Sequence, residues 1–411
     1  MYKVIDHCRV SKSSSLKTIL DLGNQYLSGV FPKSKNQEIG KAPLELVWCN
    51  ESKLAQLKHS YSLNQLYGDN YGYRSGLNMS MVEHLNQKIK KLEDKVQLKT
   101  NDLVIDIGSN DATTLKAYKD SEINKVGIDP TGKKFKRFYN KDISLISDFF
   151  PTPKLQELFP SRKAKIITSI AMFYDLEDPT LFVEAIANNL DLNGIWHFEQ
   201  SYLPIMLEKN SYDTICHEHL EYYTIESIIL ILEKYDLKII DIELNSINGG
   251  SFALSVTHKD CKKYEPNENY INRLLDKEKR LELSNLLIFR EFEKNVVKHK
   301  KDLKKLINNI NNDGKKVLGY GASTKGNVLL QYCGITKQDI PFIAEVNEDK
   351  FGAYTPGSLI PIIPEEKARS MHPDFFFVLP WHFRDSILAR EQEFMSNGGK
   401  FIFPLPYIDI V

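Results

Sequence analysis

Residues 103–115 read L-V-I-D-I-G-S-N-D-A-T-T-L, and the fold class turns on them. The apolar run Leu103, Val104, Ile105 enters the turn Asp106-Ile107-Gly108, and helix-forming residues follow. That pattern predicts a buried parallel strand, a tight loop and the start of a helix. Gly108 allows a sharp turn and lets backbone N–H groups come close to a ligand, and the helix points its positive end at the same place. Asp106, at the carboxyl end of the strand, can accept hydrogen bonds or face a cation. About twenty residues on, Val126-Gly127-Ile128-Asp129 reads as a second strand end, where an acidic side chain suits a ribose diol.

The glycines argue against a dinucleotide. The G-x-G-x-x-G fingerprint is missing because positions 110 and 113 are Asn and Thr, and no G-x-x-x-x-G-K-[ST] run occurs, so no phosphate cradle is written into this loop. Asp106, Gly108, Asn110 and Asp129 suit an adenosine that carries a positive charge and no phosphate. S-adenosylmethionine is that ligand. The alternative is an ordinary α/β turn with incidental carboxylates.

With 411 residues the chain has room for two or three domains with proper cores. Lys+Arg and Asp+Glu balance at 54 each, which gives no reason to expect nucleic acid or an anionic membrane as partner. No apolar run approaches the ~18 residues of a membrane span. The first residues, MYKVIDHCRVSKSS, lack the apolar region of a secretion signal. Five scattered cysteines do not describe a disulfide framework. A cytoplasmic enzyme, monomeric and acting on a small molecule, is expected.

Upstream of the decisive loop, residues 1–75 read as a small domain of short strands and turns. Cys8 opens C-R-V-S and Cys49 opens C-N-E-S. Two C-x-x-C pairs would form a tetrahedral zinc site, but Ser11 and Ser52 stand where the second thiolates belong. The motif reads as degenerate and zinc as doubtful, with two half-buried cysteines the simpler reading. Tyr61, Tyr67, Tyr71 and Tyr73 make an aromatic cluster that either packs a domain boundary or lies over a pocket as a lid. Met81, Val82, Leu85, Ile89, Leu92 and Val96 recur at helical spacing over Met79 to Val96.

Downstream, strand candidates at 103–107, 125–128, 165–169, 194–198 and 238–242 alternate with helices, giving a parallel, doubly wound sheet over residues 76–245. Glu199, after the fourth of these strands, should face the ligand crevice with Gln200 and Ser201. His217, Glu218 and His219 put three proton-transfer groups in a row. H-E-H lacks the H-E-x-x-H spacing of a helical zinc site. In extended chain the two histidines point to one side and the glutamate to the other. A His can serve as base near neutral pH, and a carboxylate can orient it or take the proton itself.

Residues 246–312 read as a hairpin added to the sheet edge, with Phe252, Leu254 and Val256 alternating, followed by one long charged connecting helix. A second α/β unit occupies residues 313–411. Its segment V-L-G-Y-G-A-S-T-K-G-N at 317–327 is a strand, a polar loop and a helix start. The hydroxyl of Ser323, the ammonium of Lys325 and the amide of Asn327 are groups a diphosphate would take. Near the end, D-F-F-F-V-L-P-W-H-F at 374–383 is a buried strand whose end carries Trp381 and His382.

Taken together, these motifs resemble the S-adenosylmethionine-dependent C-methyltransferases that build branched deoxysugars on nucleotide carriers. The resemblance spans nearly the whole chain. It rests on the Cys8 and Cys49 positions, L-D-L-G-N-Q at 20–25, Y-G-Y-R-S-G at 71–76, D-I-G-S-N-D at 106–111, H-E-H-L at 217–220, G-Y-G-A-S-T-K-G-N at 319–327, V-N-E-D-K-F-G at 346–352 and L-P-W-H-F at 379–383. It implies a zinc-type N-terminal domain, a Rossmann-like methyltransferase domain and a C-terminal Rossmann-like domain that helps hold a sugar nucleotide. The implied reaction removes the C3 proton of a 4-keto sugar, stores the charge as an enolate and methylates the carbanion. Glu218 and His219 fall on the family's acid/base pair, and Tyr71 and Tyr73 in the aromatic stretch over the sugar. Three departures stand out: the halved cysteine set, Cys216 where some relatives carry tyrosine, and Ser169–Pro179 without the Asn and His found in some relatives. The base is left between His219 and Glu218. An O-methyltransferase on a sugar nucleotide, or a non-catalytic sugar-nucleotide-binding protein, are the other readings.

Overall fold

Runs of Ile, Val and Leu bounded by Asp, Asn and Gly build most of the strands in the computed structural model, which describes residues 2–61, 66, 73–119 and 122–411. The N-terminal unit is antiparallel: β1 (Leu16–Tyr26) pairs with β2 (Lys41–Cys49), and β2 with β3 (Leu54–Leu57). Helix α1 (Met79–Val96) starts where the Asn78 side chain accepts from the Ser80 N–H, and it ends at a left-handed Gln97. Met81, Leu85, Ile89, Leu92 and Val96 form its buried face, as their spacing requires.

The central sheet begins with β4 (Leu103–Ile107), β5 (Asn124–Ile128), β6 (Ile143–Ile146), β7 (Ala164–Ile170) and β8 (Leu190–Ser201). The short β9 (Glu221–Tyr222) leaves this unit and adds to the N-terminal sheet, giving the order β9-β3-β2-β1. β10 (Leu237–Asn245) and β11 (Ser251–His258) complete the central sheet, whose order is β10-β11-β8-β7-β4-β5-β6.

The strands of residues 76–245 all run in one direction, β10 included, as expected of a parallel sheet. The hairpin β10–β11 does add at one end of that sheet, but β11 is its inner strand, between β10 and β8, antiparallel to both and with seven of its eight residues buried. Ala253, Ser255 and Thr257, which alternate with the large apolar residues, are small enough to be covered on their own face. Glu199, Gln200 and Ser201 therefore sit inside β8, paired with β11, rather than in a loop after it.

The long charged segment is two helices, not one. α2 (Glu268–Arg280) and α3 (Leu287–Asn312) are separated by a break in which Glu282 and Leu286 take left-handed conformations. No Gly or Pro marks this break, so local sequence could not show it. α2 packs beside the central unit through Ile271 and Leu274. α3 turns Phe289, Phe292, Val296 and Leu303 into a core that also holds Trp48 of the N-terminal unit and Val328 of the C-terminal unit. Residues 1–75 and 313–411 therefore do not have separate cores; the Trp48 and Phe289 rings meet at 5.1 Å.

The C-terminal unit contains β12 (Val317–Tyr320), α4 (Thr324–Cys333), β13 (Ile343–Glu345), β14 (Ile362–Pro364), β15 (Phe375–Val378), β16 (Lys400–Phe403) and β17 (Asp409–Ile410). They are ordered β14-β13-β12-β15-β16-β17, all parallel except the last pair. Among the described residues, no helix is long and apolar enough to cross a membrane.

Candidate active site

At the carboxyl end of β4 the chain does what the sequence asks. Gly108 turns with φ of +74°, and a Cβ there would meet Met172 at 3.1 Å. Asp106 is buried and accepts from the Thr168 hydroxyl at 2.6 Å. Burial lifts its pKa to about 7, against the pull of the Thr168 and Thr114 hydroxyls. Asp129 at the end of β5 accepts from the Asn110 N–H at 2.7 Å and, on its other oxygen, from the Thr131 N–H and hydroxyl. Burial raises this carboxyl too. The oxygen facing Asn110 retains a lone pair for a ligand hydroxyl.

The cations nearest this loop are turned away from any phosphate. Arg74 pairs with Asp111 at 3.6 Å, and Lys116 donates to the Asp111 carbonyl at 2.9 Å. The Asn110 side chain holds the segment above it, accepting from Ser75 N–H and donating to the Tyr73 carbonyl. Tyr73 itself stands about half exposed beside this loop, at 49%. Tyr71 lies outside the described residues. Carboxylates, amides and a glycine turn, with Arg74 and Lys116 both engaged by Asp111, fit S-adenosylmethionine.

Glu199 is differently occupied. One oxygen meets His84 at 2.7 Å; the other meets Lys88 at 3.2 Å and the Asn245 amide at 2.8 Å. Burial would lift this carboxyl, but the His84 bond and the charges of His84 and Lys88 hold it at about 2. It ties α1 to the sheet, which works against its assignment to cofactor contact. Lys88 sits on the buried face of α1 at a position that apolar periodicity passes over.

The H-E-H segment is a turn, so its side chains do not alternate as extended chain would. His217 and Glu218 both face the N-terminal unit. His217 has Nε2 3.3 Å from the Ala42 carbonyl and Nδ1 3.4 Å from the Ser28 hydroxyl. Fully buried, with both nitrogens bonded, it has no lone pair for a substrate, and the catalytic assignment made for it fails. Burial lowers its pKa to about 4. Glu218 lies 3.4 Å from the same Ser28 hydroxyl, and one of its oxygens lies where a Cβ on Gly29 would be. Burial raises its carboxyl, while hydrogen bonds including that from Ser28 oppose the rise.

His219 faces the other way. Its Nδ1 lies 2.8 Å from the Thr214 carbonyl and its ring 4.1 Å from that of Tyr174. A carbonyl only accepts, so Nδ1 carries the proton and Nε2 keeps its lone pair. Burial, then the Lys325 charge, pull its pKa down to about 3, against the Thr214 bond.

The C-terminal loop departs most from its sequence reading. Ser323 caps its own helix by accepting from the Gly326 N–H. Asn327 donates to the Ser28 carbonyl at 2.7 Å, while Gln331, one turn on, bonds both backbone groups of Tyr26. These side chains dock α4 onto the N-terminal unit. The carboxylate of Glu345 already receives the Ala322, Val346 and Asn347 N–H groups, and a second anion there would be repelled. Ser323 and Asn327 are therefore not placed as diphosphate ligands. Lys325 is half-buried and reaches inward, donating to the Asn248 carbonyl at 2.8 Å. Burial lowers its pKa, and Asp213 opposes this.

Asp213, which sequence reasoning passed over, accepts from the Trp381 indole N–H at 2.7 Å. Around Lys325, three buried polar atoms have no hydrogen-bond partner among the described residues: Ser211 Oγ, Asp213 Oδ1 and His382 Nδ1. Asp213 and His382 both lie within reach of the Lys325 charge. Ser211 and Trp381 flank Gly249, whose Cβ would meet the indole at 3.0 Å. Unpaired buried groups of this kind are rare without a ligand or water to satisfy them. Trp381 and His382 also line a cleft of about 400 Å³ together with Lys209, Arg384, Asp385, Tyr407 and Asp409, and Arg384 pairs with Asp409 at 2.6 Å. Among the described residues, no group of three or more His, Cys, Asp or Glu side chains is placed to hold a metal.

Three family models match successive parts of the chain: a putative zinc binding domain over residues 8–67, a methyltransferase domain over 79–242 and a C-methyltransferase C-terminal domain over 246–406. The C-methyltransferase NovU of Streptomyces niveus is 28% identical over 407 residues, spanning 98% of this chain and 96% of NovU. Among solved structures, an S-adenosylmethionine-dependent methyltransferase from Clostridium acetobutylicum is 12% identical, with 43% of this chain and 92% of that chain aligned at a TM-score of 0.32. The plantazolicin methyltransferase BpumL is 10% identical, with 42% and 82% aligned at 0.34.

Proposed function

The chain belongs to the S-adenosylmethionine-dependent C-methyltransferases, and we propose that its substrate is a keto sugar carried on a nucleoside diphosphate, deprotonated beside the ketone before methyl transfer. The observation that carries this reading is the set of unpaired polar atoms around Lys325. A hydroxyl-rich ring would satisfy Ser211, Asp213 and His382 together, and a ketone oxygen would take the ammonium. The adjoining cleft offers Lys209 to a diphosphate and Tyr407 to a base, with Arg384, now paired with Asp409 at 2.6 Å, available only if that pair opens.

Bound S-adenosylmethionine supplies an electrophilic methyl group on a sulfonium centre. Asp129 would hold its ribose, with Asp106 and the Gly108 turn beneath it. His219 takes the substrate proton at Nε2, while Thr214 fixes the ring's tautomer and orientation. Lys325 stabilises the negative charge that develops on the ketone oxygen. The same cation depresses His219, so the charge forming on the substrate offsets that effect and strengthens the base as the proton moves. Glu218, buried against Ser28 and Gly29, positions the turn.

Calorimetric titration with S-adenosylhomocysteine followed by UDP, GDP and dTDP tests the substrate class. Preference for one diphosphate is expected. Binding of none would reject a nucleotide-linked sugar while leaving C-methyl transfer in place. Deuterium should enter the carbon beside the ketone of the bound sugar before methyl transfer, and its exclusion would reject the base step.

A further inference from the structure

Cys8–Ser11 and Cys49–Ser52 are two facing turns, each followed by a lysine in the left-handed region, Lys12 at φ 62° and Lys53 at φ 54°. In the first turn the Val10 and Ser11 N–H groups point at Cys8 Sγ, 3.4 and 3.5 Å away. N–H groups directed at sulfur are what support a thiolate bound to a metal. Across the gap, Cys8 Sγ meets Ser52 Oγ at 3.0 Å and Ser11 Oγ meets Cys49 Sγ at 3.4 Å. Cys8, Cys49 and Ser52 are buried. The four side chains thus form a crossed quartet, each thiol opposite the hydroxyl of the other turn.

The donor set does not suit the zinc expected of such a domain. Two sulfurs and two hydroxyls lack two of the thiolates a closed structural site requires. The spacing agrees with that chemistry. Ligands held at about 2.3 Å around a tetrahedral zinc lie about 3.8 Å apart, and both crossed contacts are shorter.

We propose that this quartet is a metal-free replacement for a structural zinc site, in which thiol–hydroxyl hydrogen bonds clamp the two turns, and that only the two serines separate it from a metal centre. The backbone still presents four converging positions. Each serine hydroxyl can donate to the facing sulfur or accept from it, so the cluster closes without any charge to neutralise. The clamp matters for the active site because strands β1 and β2 run from these turns to Ser28 and Ala42, which hold His217 and Glu218.

The test uses the full chain. Purified wild-type protein should contain less than about 0.1 zinc per chain by plasma mass spectrometry, and EDTA should leave its melting temperature unchanged. Ser11→Cys/Ser52→Cys protein should take up about one zinc per chain and melt lower when EDTA removes it. Cys8→Ser/Cys49→Ser protein, with four hydroxyls, should fold and bind S-adenosylhomocysteine. One tightly held zinc per wild-type chain would overturn the proposal. So would a folded Ser11→Cys/Ser52→Cys protein that takes no zinc, or failure of the four-hydroxyl protein to fold.

Discussion

His219 donates its Nδ1 proton to the Thr214 carbonyl across 2.8 Å, which leaves one imidazole nitrogen, Nε2, with a lone pair, in a ring that feels the Lys325 charge. His217, two residues earlier, has no such nitrogen. Of the two histidines in the H-E-H run, His219 is the candidate base.

Replacing His219 by Asn keeps an amide donor for Thr214 and removes the base. Turnover should fall by about 10²- to 10⁴-fold, with S-adenosylhomocysteine affinity within about twofold of wild type by calorimetry. Glu218→Gln should cost turnover less. If the glutamine variant were the dead one and the asparagine variant active, the two roles would be exchanged.

Lys325→Met separates oxyanion stabilisation from diphosphate binding. Loss of a half-buried cation at a developing negative charge should lower turnover by about 10²- to 10³-fold. Affinity for the preferred nucleoside diphosphate should stay within about threefold. A large loss of diphosphate affinity with normal turnover at saturation would return Lys325 to the phosphate.

His217 predicts a pH signature in stability. Its folded pKa, about 4, lies below the ordinary value near 6.5. The unfolded chain therefore binds the proton first, and the favourable contribution present above about pH 6.5 is lost as pH falls toward 4. The stability advantage of wild type over His217→Gln should shrink by up to ~1.4 kcal/mol per pH unit in that window. Urea titrations at pH 7.5, 6 and 5 measure it, and a gap independent of pH would show that the ring is not held neutral.

Lys88 and Lys91 lie on the same helix and both pair with Glu243, but only Lys88 is buried and bonded to Glu199. Lys88→Met should cost about 3 kcal/mol, because it takes a buried cation from the buried Glu199 carboxylate and leaves it His84 and Asn245. Lys91→Met should stay within about 0.5 kcal/mol. Denaturant midpoints of the two variants compare them directly, and equal losses would mean that Glu199 finds other partners.

Much of the central unit was legible because its signals are local. Leu103–Ile107 forms the strand that its apolar run describes, Gly108 turns where a turn was required, and the apolar spacing of 79–96 gives the helix at its observed ends. Strand order was not legible. Phe252, Leu254 and Val256 carry the same pattern at a sheet edge or between two strands, and only the covering layers decide which. The break at Leu281–Leu286 was hidden because two different cores pull its flanking helices apart.

The candidate site divides along the same line. The sequence alone determined the chemistry available: acidic strand ends without a phosphate loop, a run of titratable groups at 217–219, one lysine in a polar turn. Tertiary structure decided which atoms are free. Ser28 and Ala42 take up His217 and Glu218, Glu345 fills the turn that looked ready for a diphosphate, and Asn248 draws Lys325 inward toward Asp213 and His382. Residue type fixes what a side chain can donate or accept, but whether that capacity is already spent depends on partners far away in the chain, 299 residues between Asn327 and Ser28 and 305 between Gln331 and Tyr26.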